Sequence, residues 1–330
     1  MPVTRFAGAV FLTFATAAAQ GQMTRYIGTC DASAAVGLGS DHFVVGDDEQ
    51  SALSVYRVGD PTAVGRVDLG SYLGAAGRKE GAEEIDIEGA ARIGDRIYWI
   101  ASHGTNGKGQ LQPSRRRFFA TTIVENAPVP SVQPLDKRPH VDLLEKALAQ
   151  PKIAQVLERA ATLDPESEEG LSIEGLAATP RGELMIGFRN PRPQGQALIL
   201  PLRNPAAVLD SGAEPVFGDM IRLDLGKRGI RSIEWSGTEY WIVGGPHGDR
   251  TKDPEALSFE LFKWSGPGVQ PVLVPQRKLA GLNPEALFKV NGSGRWYVLS
   301  DDGDTTVEDK KCKSKKVAVE KKGFRGTYVD

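Results

Sequence analysis

Ser172-Ile173-Glu174-Gly175-Leu176 is one of five stretches in this chain that share a pattern: a polar residue, a mostly apolar residue, then a carboxylate. Asp86-Ile87-Glu88-Gly89-Ala90, Ser232-Ile233-Glu234-Trp235-Ser236 and Asn283-Pro284-Glu285-Ala286-Leu287 repeat it, and Thr29-Cys30-Asp31-Ala32-Ser33 carries the shorter acid. A turn signal follows each, such as Gly94-Asp95 or Asn291-Gly292-Ser293-Gly294. Short β-type runs come next, among them Arg96-Ile97-Tyr98-Trp99-Ile100 and Tyr240-Trp241-Ile242-Val243. Third strands are expected at 53–58, 118–124, 197–202 and 259–264, and fourth strands at 64–69, 129–134, 220–225 and 269–274. A four-stranded unit repeated five times predicts an all-β fold, a five-bladed β-propeller, with six blades as the alternative.

The fifth unit lacks strands of its own. A Lys-rich stretch follows Leu299, and the only later strand expected is 324–329, whereas a spare strand, 23–27, stands near the start of the chain. Ring closure removes sheet edges, so the N-terminal strand is expected to complete the last blade. Of the two cysteines, Cys30 lies near that strand and Cys312 near the C-terminus. They are either a disulfide at the seam or two unrelated thiols, and the seam favours the bridge.

Residues 1–19 have the features of a cleaved signal peptide: Arg5, an uncharged run from Phe6 to Ala15, and the small residues Ala17-Ala18-Ala19. The chain is therefore expected to be exported, to the periplasm or beyond, as a single propeller domain over 20–330. No later segment is long and apolar enough for a membrane span. With 40 basic against 42 acidic residues in 330, nothing favours a nucleic-acid partner. The one helical pattern, around 140–163, combines Leu143, Leu144, Ala147 and Leu148 with Ile153, Val156 and Leu157 beyond Pro151. It reads either as a cap at one mouth of the ring or as decoration of the outer rim.

Two rings of polar residues are expected to carry the chemistry. Innermost strands would bring Asp31, Glu88, Glu174, Glu234 and Glu285 to one axis, where crowded carboxylates call for a cation, most plausibly Ca²⁺ in an all-oxygen site. Equally, each acid could accept backbone N–H groups of the next blade. Past the second strands lie Asp48, His103, Arg189, His247 and Asp302. There His103 and His247 could move a proton while Arg189, Asp48 and Asp302 hold a small polar or anionic molecule, which with a metal is the minimum for ester or phosphoester hydrolysis. Arg115-Arg116-Arg117 could grip an anion or be a solvated strand edge. No His-Glu-x-x-His, Gly-x-Ser-x-Gly or phosphate-loop signature is present. The competing class is a non-catalytic module that presents its loops to a protein or glycan.

Cys30-Asp31-Ala32-Ser33-Ala34, Asp86-Ile87-Glu88-Gly89, Ser102-His103-Gly104, Ser114-Arg115-Arg116-Arg117, Ser172-Ile173-Glu174-Gly175-Leu176, Ile230-Arg231-Ser232-Ile233-Glu234-Trp235 and Pro284-Glu285-Ala286-Leu287 together resemble the bacterial family catalogued as domain of unknown function 3616. That resemblance covers nearly the whole mature chain and implies a propeller-like β fold without an established activity. The acidic repeat is more loosely similar to propellers with phytase-like esterase activity.

Overall fold

A computed structural model describes residues 23–47, 51–74, 84–124, 129–248, 257–275 and 279–329. The N-terminal strand β1 (Thr24–Ile27) precedes the first blade, β2 (Ala32–Leu38), β3 (His42–Asp47), β4 (Ala52–Arg57) and β5 (Ala63–Asp68). The second blade is β6 (Ile87–Ile93), β7 (Arg96–Ala101), β8 (Phe118–Val124) and β9 (Ser131–Pro134). Helices α1 (Leu143–Leu148) and α2 (Pro151–Leu157) lead to the third blade, β10 (Ser172–Ala178), β11 (Leu184–Asn190), β12 (Ala197–Leu202) and β13 (Ile221–Leu223). Between β12 and β13 lies a further helix, α3 (Pro205–Ser211). The fourth blade is β14 (Gly229–Trp235), β15 (Tyr240–Gly245), β16 (Glu260–Trp264) and β17 (Val272–Val274). The fifth starts with β18 (Pro284–Lys289) and β19 (Trp296–Ser300), makes a small hairpin of β20 (Thr306–Val307) and β21 (Lys310–Lys311), and resumes with β22 (Gly323–Tyr328).

Its strand order is β18-β19-β22-β1, so the N-terminal strand supplies the outer edge of the last blade. The innermost strands β2, β6, β10, β14 and β18 each touch the next, and β18 touches β2, which closes a five-membered ring. This is the five-bladed propeller expected from the repeats.

Five apolar cores lie between consecutive blades, which explains why the second strands read as continuous apolar runs. Successive residues of a strand point to opposite faces. Val44 therefore packs toward blade two with Trp99, whereas Phe43 and Val45 pack toward blade five with Phe288 and Tyr297. Likewise Ile242 joins blade three, and Trp241 and Val243 join blade five. Gly89 marks one of the closest approaches, because a Cβ there would lie 3.0 Å from that of Leu176 on the next blade.

Cys30 and Cys312 form a disulfide across the seam, with Cα atoms 5.9 Å apart. No helix among the described residues is long and apolar enough to cross a membrane. The disulfide fits an oxidising compartment and so agrees with export. Residues 1–19 lie outside the described residues. Helices α1 and α2 bury Leu143, Leu144, Ala147, Ile153 and Leu157 against blades two and three. Beyond them, the loop from Asp164 to Gly170 brings Pro165 and Glu166 to the axial mouth. The insertion thus covers the rim with its helices and reaches the mouth with its loop.

Candidate functional site

At the start of every innermost strand the ladder carries one extra residue. Ala32 and Ala34 oppose Asp47 and Gly46, which leaves Ser33 bulged out, and the same count singles out Glu88 between Ile87 and Gly89. Glu174, Arg231 and Glu285 occupy this position in the other blades. A bulge re-aims its extra side chain, here to the mouth of the ring. Blade three has a second bulge on the facing strand at Arg189, which places its guanidinium against Glu174.

The bulges correct the expected ring at two places. Glu234 lies near the far end of β14, three residues beyond the bulged Arg231, and does not line the mouth. Its carboxyl is pushed up to about 8 by burial, though part of the residue remains exposed. Asp31 stands two residues before the bulged Ser33, buried, with its side chain hydrogen-bonded to that of Asp301. Glu88, Glu174 and Glu285 do come together. The Ser-Ile-Glu match in blade four misled because Ile230-Arg231-Ser232, not Ile233-Glu234-Trp235, is the stretch carrying the bulge.

A cavity of about 210 Å³ opens at this mouth. Its wall combines four of the five bulged residues, Glu88, Glu174, Arg231 and Glu285, with Arg189 near the end of β11, Ser102 and Asp301 just past the second strands, and Gly248. Eight carboxylates and four basic groups line it among the described residues. Each basic group is already matched. Arg189 Nη1 lies 2.7 Å from Glu174 Oε1, and Arg231 Nε lies 2.9 Å from Glu174 Oε2 as an ion pair without hydrogen-bond alignment. Arg231 Nη2 donates to Glu285. Arg115 Nη1 reaches Asp86 at 3.2 Å, and Lys313 reaches Asp304 at 3.4 Å.

Glu88 has no ion pair or hydrogen bond with another described residue. Burial first, then the charges of Glu174 and Asp86, hold its carboxyl well above the usual range. Asp86, in a left-handed conformation at φ 64°, accepts a hydrogen bond from Ser102 Oγ. Asp301 is also raised, chiefly by burial, against the stabilising Gly303 N–H at 2.7 Å.

The second expected ring is displaced by one residue at three of its positions. His103 is fully buried and donates or accepts at Nδ1 with the Ala101 carbonyl, 2.9 Å away, while Ser102 faces the cavity. Burial and then the Arg116 charge push His103 down to about 3, so it is neutral at physiological pH and sealed from the mouth. The carbonyl of His247 accepts from Asn190 Nδ2 at 3.0 Å, and it is Gly248 that lines the cavity. Asp302 is held bidentately by Arg325 at 2.8 and 2.6 Å and accepts from Ser300 Oγ, so it clasps β22 while Asp301 faces inward. Arg189 lines the cavity as expected, and Asp48 lies outside the described residues. Alternation of an extended chain accounts for these one-residue offsets.

The pairing group missed by sequence reasoning is Arg231; Asp86 and Asp301 stand beside residues singled out in the two polar rings, and Arg115 in the Arg run. A register count could have found Arg231, since Gly229-Ile230-Arg231 aligns with Ser172-Ile173-Glu174 once the strand starts are matched. Arg115-Arg116-Arg117 divides its labour: Arg115 serves the cavity, Arg116 is buried, and Arg117 donates to the Leu73 and Pro113 carbonyls. No group of three or more His, Cys, Asp or Glu side chains among the described residues is arranged as a metal-ligand set.

No curated protein matches this chain. Among solved structures, it is similar to the glutaminyl cyclase of Myxococcus xanthus at 12% identity, over 94% of this chain and 99% of that one, with a TM-score of 0.43. The PQQ-bound aldose sugar dehydrogenase of Streptomyces coelicolor gives 10%, 94%, 99% and 0.41. The β-propeller domain of Cps50 (Swd1) from Myceliophteria thermophila gives 11%, 94%, 100% and 0.38. These likenesses concern the fold. Residues 124–268 match the family described as "Protein of unknown function (DUF3616)", a stretch that contains two of the quoted motifs, Ser172-Ile173-Glu174-Gly175-Leu176 and Ile230-Arg231-Ser232-Ile233-Glu234-Trp235.

Proposed function

We propose that this protein is an exported propeller whose axial cavity binds a small polar ligand through a cationic group, a divalent ion such as Ca²⁺ or a protonated amine. The observation that carries this is Glu88: an acid without a partner among the described residues, in a wall where every base is matched and carboxylates outnumber bases. A cation beside Glu88 would relieve its repulsion from Glu174 and Asp86 and return it to the ionised form. The wall favours a cationic group over the purely anionic ligand expected from Arg189, whose charge Glu174 already answers. For turnover of an ester or phosphoester we assign the proton transfer to Glu88, which faces the cavity, and not to His103, which does not line it.

Calorimetric titration with CaCl₂ and, separately, with ethylammonium at pH 8 tests this reading and tells the two sources of charge apart. One of them binds, and Glu88→Gln weakens that binding at least tenfold while the protein still melts cooperatively. Absence of binding by both, or equal binding to Glu88→Gln, would overturn the proposal in favour of a module that uses its loops to hold a protein or glycan.

A further inference from the structure

We infer that the ligand of the axial cavity is zwitterionic, a molecule of amino-acid size whose ammonium group meets Glu88 and whose carboxylate meets Arg231. This rests on the cation-binding reading and adds the second half of the ligand.

The second half follows from the guanidinium opposite. Arg231 lines the cavity and is 6% exposed, yet its Nη1 has no hydrogen-bond partner, and neither has Nε of Arg189 beside it. A buried N–H left without an acceptor forfeits the hydrogen bond it had in water, and the loss is larger when the group is charged. Glu174 and Glu285 answer the charge of Arg231, and Glu285 takes the donor of Nη2, but neither fills Nη1. A planar guanidinium with a free donor matches a carboxylate oxygen.

A cation alone gains less from this wall than a ligand that also carries a negative charge. Arg189 and Arg231 both act electrostatically on Glu88, so a lone cation seated there lies within their field and is held less tightly. An anion alone faces the excess of carboxylates. A ligand with one charge of each sign, each turned to its opposite, escapes both penalties. Size points the same way: the cavity, at about 210 Å³, is below the roughly 300–1,000 Å³ of pockets for drug-sized ligands. Free glycine and its near homologues have the required two charges within that volume.

The test compares β-alanine, glycine, ethylammonium and acetate by calorimetry on the full chain at pH 8. Glycine or β-alanine binding at least tenfold more tightly than ethylammonium, with acetate not binding, is the expected result. Equal affinity of ethylammonium and the amino acids would overturn the zwitterion and leave the cation reading standing. Failure of all four, with or without CaCl₂ binding, would also overturn it. Arg231 is held between two acids, so its removal risks the fold. Arg231→Lys keeps the charge and loses the fork, and it is expected to lower β-alanine affinity by a larger factor than ethylammonium affinity. Equal losses for both probes would count against the inference.

Discussion

A proton on Glu234 is held more tightly in the folded protein than in the unfolded chain. Burial pushes this carboxyl up to about 8 from an ordinary 4.5, whereas in the unfolded state it titrates near the ordinary value. Between those two pH values the folded state carries a proton that the unfolded state has released, so this group makes stability fall as pH rises from about 4.5 to about 8. Glu234→Gln cannot ionise, and it should remove that slope and gain roughly 2–4 kcal/mol over wild type at pH 8. Urea melts of both proteins at pH 5 and pH 8 check this, and parallel curves at the two pH values would contradict it. Glu88 differs because it faces the cavity: Glu88→Gln is expected to stabilise the empty protein at pH 8 while removing binding, the usual opposition between site chemistry and stability.

At the scale of elements, the seam is where closure is decided. The disulfide spans 282 residues, for which the chain-entropy treatment gives about 5 kcal/mol. Cys30→Ser with Cys312→Ser should therefore lower the melting temperature by roughly 10 °C, judged from the usual scaling for large domains. An unchanged melting temperature would show that β1 and the Asp302–Arg325 clasp close the ring by themselves. This seam was legible in the sequence, because a blade short of strands at one end and a strand to spare at the other have one economical resolution. Strand positions were legible for the same reason: the apolar runs 118–124 and 197–202 coincide with β8 and β12. Helix α3 was not anticipated, although Pro205 at its first turn and Gly212 at φ 68° after its end are ordinary helix signals. The site was half legible. Repeats show which blade positions face the mouth, but a bulge moves the inward side chain by one residue, and nothing local in Ile230-Arg231-Ser232 marks it against Ile233-Glu234-Trp235. For His103 the composition was persuasive and the direction wrong, since at the end of β7 it is Ser102 that faces the cavity.

Across the whole molecule, the mouth is also the girdle. Glu174 belongs to blade three, Arg231 to blade four and Glu285 to blade five, and their ion pairs run through three consecutive blades. The repeated acids thus divide: Glu174 and Glu285 join blades, through the Arg231 side chain and not through the backbone N–H groups expected, whereas Glu88 takes no part in these pairs. Ion pairs buried this deeply contribute less as a group than the loss of one member costs, because removal of a single partner leaves the others charged and dry. Arg231→Met should thus destabilise the protein by about 3–5 kcal/mol, with both Glu174 and Glu285 losing a partner. Glu174 keeps Arg189, so Glu285 is the stranded charge; adding Glu285→Gln to the same chain removes it, and the double variant should be more stable than Arg231→Met alone. The comparison is made by urea unfolding followed through Trp241 and Trp296, which stack at 4.8 Å between blades four and five. A double variant no more stable than the single one would mean that the ion pairs themselves, and not the avoidance of buried charge, hold those blades together.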